Sequence, residues 1–241
     1  MHDDVVDEAE VRRGVPTVHR KWGTRVGVLA GDYLFARAFA VLAQVGDNRV
    51  VQLMAKVVHE MSAGEIEQQR RAFDLDQTID DYFVRIYQKT GCFIAECCRL
   101  GGVLTGAGPE AEEALARFGY GVGMGYQIVD DLLDFTSSTR TLGKPAASDL
   151  RAGVLTLPVL YALSRRETGP RLREALANPP WGDAELDVVQ ACLEECGALQ
   201  YAYGVARRLT EEGRRALAAL PPSPAREALD GLAQALIDRV F

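Results

Sequence analysis

Apolar residues recur along this chain with the three-to-four-residue period of helices. Almost no window alternates with period two, so the pattern predicts an all-α fold and needs no strands. Over residues 22–45 the positions Val26, Leu29, Ala30, Tyr33, Leu34, Ala38, Val41 and Leu42 predict a buried helix. Asn48 can cap the next helix, which carries Val51, Met54, Val58 and Met61 to about Arg71. Gly64 inside it costs about 1 kcal/mol relative to alanine and so marks close packing or a bend. Thr78 followed by Asp81 reads as a capping box for a long helix with the apolar face Ile79, Phe83, Ile86, Tyr87, Phe93 and Ile94. After a break over residues 101–108, Pro109 sits at a first-turn position and opens another helix that runs to Phe135. Gly119, Gly121, Gly123 and Gly125 within it imply that a second helix or a ligand comes very near the backbone. A polar loop over 136–147 leads to a helix capped by Ser148 and Asp149 that continues through Leu155, Leu157, Val159 and Leu160. From Pro170 onward the pattern predicts three or four amphipathic helices, broken at Pro179-Pro180 and Pro221-Pro222.

Composition narrows the class. The 241 residues can bury one substantial core, and 48% hydrophobic with 25% charged residues excludes a mostly disordered chain. A net charge of −7 argues against nucleic acid as a partner, since a phosphate-backbone binder presents a basic face. No unbroken run of 18 apolar residues occurs and the N-terminus is acidic, so neither a membrane span nor a signal peptide is expected, and the cytoplasm is the expected compartment. Cys92, Cys97, Cys98, Cys192 and Cys196 form no CxxC pair and have no histidine at ligand spacing, so they read as core thiols.

Two acidic motifs carry the candidate chemistry: Asp3-Asp4-Val5-Val6-Asp7 and Asp130-Asp131-Leu132-Leu133-Asp134. In a helix the first and fifth positions of DDxxD share a face, and the second lies about 100° round. A single such motif also fits a solvated helix face. The second, however, is embedded in Gly-Tyr-Gln-Ile-Val-Asp-Asp-Leu-Leu-Asp-Phe, where ionised carboxylates call for counter-charge. Two such clusters facing one another would repel unless cations or donors compensated them. Hard oxygen ligands without histidine or cysteine suit Mg²⁺, which takes one or two carboxylates plus water and phosphate oxygens, so a phosphate ester is the implied substrate. Arg12 and Arg13 close the first segment, where Pro16 and Thr17 end the helix. They fit either a salt-bridged helix end or a bidentate grip on diphosphate. Lys89 lies mid-helix and either snorkels or meets an anion, while Lys144 is either a loop lysine or a phosphate clamp.

The two motifs, Arg12-Arg13-Gly14, Gly31-Asp32-Tyr33-Leu34, Gly64-Glu65-Ile66, Lys89-Thr90, Gln127 and Gly143-Lys144-Pro145 occur in one order. In this the chain resembles the trans-polyprenyl diphosphate synthases, motif by motif over residues 1–160, and most of all the long-chain members that make quinone side chains. The resemblance implies an all-α bundle around a deep central cavity, usually a homodimer. It implies that allylic prenyl diphosphate and isopentenyl diphosphate are condensed to a longer all-trans product. By the same resemblance Asp3 and Asp7 are ligands of two Mg²⁺ ions and Asp130 of a third, with Asp4, Asp131 and Asp134 supporting them in the catalytic set. Arg12, Lys89, Thr90, Gln127 and Lys144 match positions holding the allylic diphosphate, and Arg13 one holding isopentenyl diphosphate. The chain departs from the family pattern in two places. Val154 and Leu155 stand where a second lysine usually precedes Thr-Leu-Pro. The first helices of the family fold, with their Gly-Lys-Arg segment and histidine, are expected to be missing ahead of Asp3, which predicts weak isopentenyl diphosphate binding. A class I terpene cyclase and a non-catalytic partner subunit are the competing readings. The first normally carries an Asn/Ser/Glu second motif, and the second usually lacks intact aspartates.

Overall fold

The computed structural model describes residues 1–12, 14–136 and 147–238. They divide into two compact units, residues 1–55 and the remainder from residue 56, with the boundary inside one long helix.

The first unit departs from expectation at its start. Helix α1 (His2–Val6) stops after little more than a turn, and Glu8 takes φ 51°. Instead of continuing to the arginines, the chain forms two short antiparallel strands, β1 (Val11–Arg12) and β2 (Val15–Pro16), with Val11 opposite Pro16 and Arg12 opposite Val15. The residues explain this. Val11 and Val15 are β-branched, Pro16 has no N–H to continue a helix, and Gly14 supplies the positive φ (79°) between the strands. Helices α2 (Val18–Trp22) and α3 (Thr24–Gln44) follow. Gly27 lets α1 and α2 lie against α3, since a Cβ there would sit 3.0 Å from Val5 Cγ2 and from His19 Cβ.

The sequence predicts a buried α3, and the structure contradicts this. Only Gly27 and Gly31 are buried, while Leu29, Tyr33 and Leu34 are 66%, 65% and 52% exposed. Its apolar residues run nearly all the way round, and α1 and α2 cover only the glycine stripe. The helix is also long and apolar enough, by length and composition, to cross a membrane, with a mean hydropathy of 1.6 over 18 residues. A search for unbroken apolar runs misses it because Asp32 and Arg37 interrupt the stretch. Helix α4 (Asn48–Arg70) includes Asn48, so it begins one residue earlier than a cap at Asn48 would require. Asp47 accepts the Arg49 N–H at 2.8 Å in that role.

In the larger unit the capping box is present. Thr78 Oγ1 accepts from the Asp81 N–H, and the Asp81 carboxylate accepts from the Thr78 N–H. The long helix it opens is three pieces: α5 (Ile79–Ile86), a π-helical turn (Tyr87–Gly91) and α6 (Cys92–Thr105). Helix α7 (Pro109–Thr136) comes next and packs chiefly on α6 and on α12 (Ala198–Ala216). Its glycines sort by helical angle. Gly119 and Gly123, four apart, face the α6 side, where Cβ atoms would meet Ala95 Cα at 2.7 Å and Gly91 Cα at 3.0 Å. Gly121 and Gly125 face α12, and a Cβ on Gly121 would lie 2.8 Å from Gly213 Cα. The alternation therefore gives α7 two close backbone contacts at once. Gly64 is likewise a packing residue, since its Cβ would fall 2.7 Å from Gln88 Cβ.

Ser148 and Asp149 do not cap a helix reaching Leu160. They belong to a separate short helix α8 (Ser148–Arg151), and α9 (Leu157–Ser164) starts afresh after Thr156. Gly153 turns the chain between them at φ 82°. Helices α10 (Gly169–Ala175), α11 (Asp183–Glu195), α12 and α13 (Pro224–Ile237) complete the fold, with breaks at both proline pairs as the sequence predicts. The core of this unit includes Tyr82, Met124, Ile128, Leu132, Leu150, Leu157 and Leu193, and burying each such side chain contributes about 1.5–3 kcal/mol. Of the five cysteines, Cys92 and Cys192 are core thiols, but Cys97 is exposed: on α6 it falls off the face that α7 covers.

Candidate active site

Each motif turns its first aspartate outward and its second inward. Asp3 is exposed, whereas Asp4, one residue and about 100° further on, is only 6% exposed. In the first unit Arg12, carried on β1, reaches back over both. Its Nη1 donates to Asp4 Oδ1 at 2.7 Å and to Asp3 Oδ2 at 3.2 Å. Asp7, at the end of α1, is exposed. The hairpin that replaces the expected helix is thus what brings the guanidinium onto the carboxylates.

In the larger unit Asp130 is exposed, while Asp131 and Asp134 are 4% and 7% exposed. Asp131 accepts two neutral donors, Tyr82 Oη at 2.7 Å and Gln127 Nε2 at 2.9 Å. Gln127 Oε1 in turn accepts from Thr90 Oγ1 at 2.7 Å. Burial first, then the neighbouring charge of Asp149, pushes the Asp131 carboxyl up to about 7, against the Tyr82 and Gln127 hydrogen bonds and the Arg85 charge. Tyr82 is fully buried, and its phenol is raised by burial and by Asp131. Arg85, also buried, stacks over the Tyr82 ring with its guanidinium carbon 5.4 Å from the centroid, and donates to Gln77 Oε1 and to the Leu155 carbonyl. Desolvation lowers its affinity for the proton.

Asp134 has another task. Its oxygens accept from Ser148 N–H (3.1 Å), Ser148 Oγ (2.8 Å) and Asp149 N–H (3.1 Å), so it caps α8. It ties the start of α8 to the end of α7.

Among the other sequence-predicted residues, Lys89 sits in the π-helical turn with its Nζ 3.6 Å from Glu65 Oε2. Glu65 also accepts from Gln68 and Gln69. Single π turns occur often at functional sites. Arg13 and Lys144 lie outside the described residues, so the Gly143-Lys144-Pro145 reading does too. Sequence reasoning missed Tyr82 and Arg85, and it named Glu65 only within the Gly64-Glu65-Ile66 motif, without its pairing to Lys89. Nothing in the spacing of Tyr82 announces a partner 49 residues away, but a buried aspartate such as Asp131 requires donors, and that requirement was a signal to look for them.

The exposed aspartates are the groups that a divalent cation would use. Among the described residues no three His, Cys, Asp or Glu side chains gather into a cage. The exposed carboxylates are hard oxygen donors, and Mg²⁺ ordinarily takes only one or two of these with phosphate oxygens and water, so the residues present fit it.

Comparison with known proteins gives a consistent assignment. Residues 1–196 match the model of the polyprenyl synthetase family. Heptaprenyl diphosphate synthase component 2 of Geobacillus stearothermophilus is 41% identical over 235 residues, covering 97% of this chain and 72% of that protein. Chloroplastic solanesyl diphosphate synthase 1 of Arabidopsis thaliana is 38% identical over 240 residues, and the chain spans only 58% of its length. Among solved structures, a decaprenyl diphosphate synthase from Rhodobacter capsulatus superposes with a TM-score of 0.92 at 35% identity, over all of this chain and 74% of that one. A polyprenyl synthase from Caulobacter crescentus complexed with calcium and isoprenyl diphosphate gives 0.90 at 33% identity, again over 74% of that chain. Two aspartate motifs on helices, a lysine on a π-helical turn and these relatives agree: the chain belongs to the polyprenyl synthetase family, the helical trans-prenyltransferase enzymes whose long-chain members it matches.

Proposed function

We propose that this chain condenses isopentenyl diphosphate with an allylic prenyl diphosphate to give a longer all-trans polyprenyl diphosphate. The observation that carries the reading is the repeated division of labour in the two motifs, an exposed lead aspartate beside a buried, hydrogen-bonded one. Asp3, Asp7 and Asp130 are the proposed ligands of Mg²⁺, three ions in all, and the calcium in the Caulobacter relative supports a divalent cation. Bound magnesium supplies positive charge that stabilises the diphosphate as the allylic C–O bond breaks. Lys89, Arg12 and Lys144 are proposed to add positive charge to the same task, and Arg13 to hold isopentenyl diphosphate. The isopentenyl double bond then attacks the allylic carbon, and a proton is lost to the released diphosphate.

The second amide hydrogen of Gln127 remains to donate to a diphosphate oxygen, since the first goes to Asp131. Thr90 spends its one proton on Gln127, so its proposed part is to orient that amide, not to donate to substrate.

A homodimer in the cytoplasm is the proposed state, with α3 covered by protein. Asp32 and Arg37 would otherwise have to enter hydrocarbon, which is expensive. The Geobacillus relative is named as one component, so a heteromeric assembly is a second reading.

The test is to incubate the chain with farnesyl diphosphate, labelled isopentenyl diphosphate and Mg²⁺, alone and fused behind the N-terminal segment of a relative, and to size the products. Elongation in five-carbon steps is expected. No elongation by either form, or a cyclic hydrocarbon from the allylic substrate alone, overturns the reading.

A further inference from the structure

We propose that Tyr82 is a positioning residue that sets the direction of a hydrogen-bond chain running from Asp131 to the π-helical turn. The proposal rests on the function given above and deepens it. When Asp131 is ionised it only accepts, and the Tyr82 hydroxyl donates to it at 2.7 Å. With one carboxylate oxygen held there, the other takes a hydrogen from Gln127 Nε2 at 2.9 Å. That choice turns Gln127 Oε1 toward Thr90, which donates to it at 2.7 Å. Every donor and acceptor is then assigned. Asp130, on the next turn of α7, is exposed.

The phenol is itself fixed from behind. Tyr82 is 0% exposed, and its ring lies under the Arg85 guanidinium, which is held by Gln77 and by the Leu155 carbonyl. A buried cation over the ring and a buried carboxylate at its hydroxyl thus both hold Tyr82, and the hydroxyl links α5 to the motif. Removing that oxygen frees Asp131 to rotate. Gln127 then has no reason to prefer its present amide orientation, and Thr90 no fixed acceptor.

Tyr82→Phe keeps the ring and its stacking with Arg85 and deletes only the donor. The expected result is a fall in kcat of about tenfold and a rise of about fivefold in the Mg²⁺ concentration for half-maximal rate, with KM for isopentenyl diphosphate within twofold of wild type. The same variant should bind inorganic diphosphate with Mg²⁺ about fivefold more weakly by calorimetry. Thr168→Val is the control for a purely structural loss. It removes a buried hydroxyl that bonds the Ala162 carbonyl elsewhere in the same unit, so it should lower the melting temperature comparably and leave the magnesium dependence unchanged. Should Tyr82→Phe fail to fold, Tyr82→His, which returns a ring N–H donor, is read in its place and should retain at least half the wild-type kcat. Tyr82→Phe within twofold of wild type in both kcat and magnesium half-saturation overturns the inference while leaving the enzyme reading intact. A wild-type chain that neither elongates nor binds magnesium diphosphate removes both.

Discussion

Asp3-Asp4-Val5-Val6-Asp7 and Asp130-Asp131-Leu132-Leu133-Asp134 are one pattern in two settings. In both, helical geometry turns the second aspartate about 100° away from the first, and both second aspartates are buried. What meets them differs. Asp4 is met by a charge, the Arg12 guanidinium on a hairpin that is itself half exposed. Asp131 is met by two neutral donors inside the main core. The fifth position differs more. Asp7 is exposed at the end of a five-residue helix, while Asp134 is buried as the cap of α8. A motif therefore fixes which aspartate looks outward, and the neighbours decide what the inward ones do.

The sharpest way to break this comparison is to neutralise the positions one at a time. Asp130→Asn and Asp3→Asn should each lower kcat by roughly 10³-fold, because several kcal/mol of charge stabilisation depend on a held cation. Both residues are exposed, so the melting temperature should move by no more than about 2 °C. A variant of either residue that melts far lower while keeping its rate would show that the outward aspartates are structural.

The fifth positions should separate on stability. Asp134→Ala leaves two backbone N–H groups and a hydroxyl at the start of α8 without their acceptor, a loss of about 2–3 kcal/mol. Asp7→Ala, at an exposed site, should stay within about 0.5 kcal/mol. Urea denaturation followed by circular dichroism measures both. Equal losses would mean that the two fifth positions are equivalent after all.

The glycines that seat each motif helix provide a smaller contrast. A Cβ at Gly121 meets backbone, with Gly213 Cα at 2.8 Å, and overpacking of that kind destabilises by about 1–3 kcal/mol, outweighing the gain in helix propensity. At Gly31 the obstacle is the His2 imidazole, the far end of a side chain that can swing aside. Gly121→Ala should therefore lower the melting temperature by several degrees and Gly31→Ala should leave it near the wild-type value. Equal shifts would show that both helices are seated alike.

How far the sequence could be read depended on whether the cause was local. The Thr78–Asp81 box, Pro109 at the start of α7 and the close approach at the four glycines follow from residues a few positions apart, and each was legible. The hairpin at Arg12 was missed because five acidic residues ahead of two arginines suggested a charged helix, while the deciding features were Gly14 and two valines. The buried reading of α3 failed for another reason. Hydropathy reports that a surface wants cover, not that the chain supplies it. Within the site, exposure of Asp130 came from helix angle, but Tyr82, Arg85 and Glu65 meet their partners across 24 to 70 positions, which no spacing encodes. Asp134 as the cap of α8 was equally invisible, since its partners lie across the 137–146 segment.

The support of the second motif reaches back to the cap of the helix that carries Tyr82, and that gives the smallest expected effect. The Thr78 N–H first, then the Arg71 guanidinium and the Thr78 hydroxyl, hold the Asp81 carboxyl down at about 2. A carboxyl whose folded value lies below its unfolded one, about 3.9, contributes stability that is complete above that unfolded value and is lost as the pH falls through the folded one. The window is therefore about pH 4 down to about pH 2. Asp81 is solvent-accessible, so screening keeps the contribution small. Asp81→Asn should reduce stability slightly at pH 7 and, more tellingly, reduce the slope of stability against pH between 4 and 2 in urea melts relative to wild type. If the two slopes coincide across that window, the capping box does not hold α5, and the rigid placement of the Tyr82 hydroxyl must come from the core around it alone.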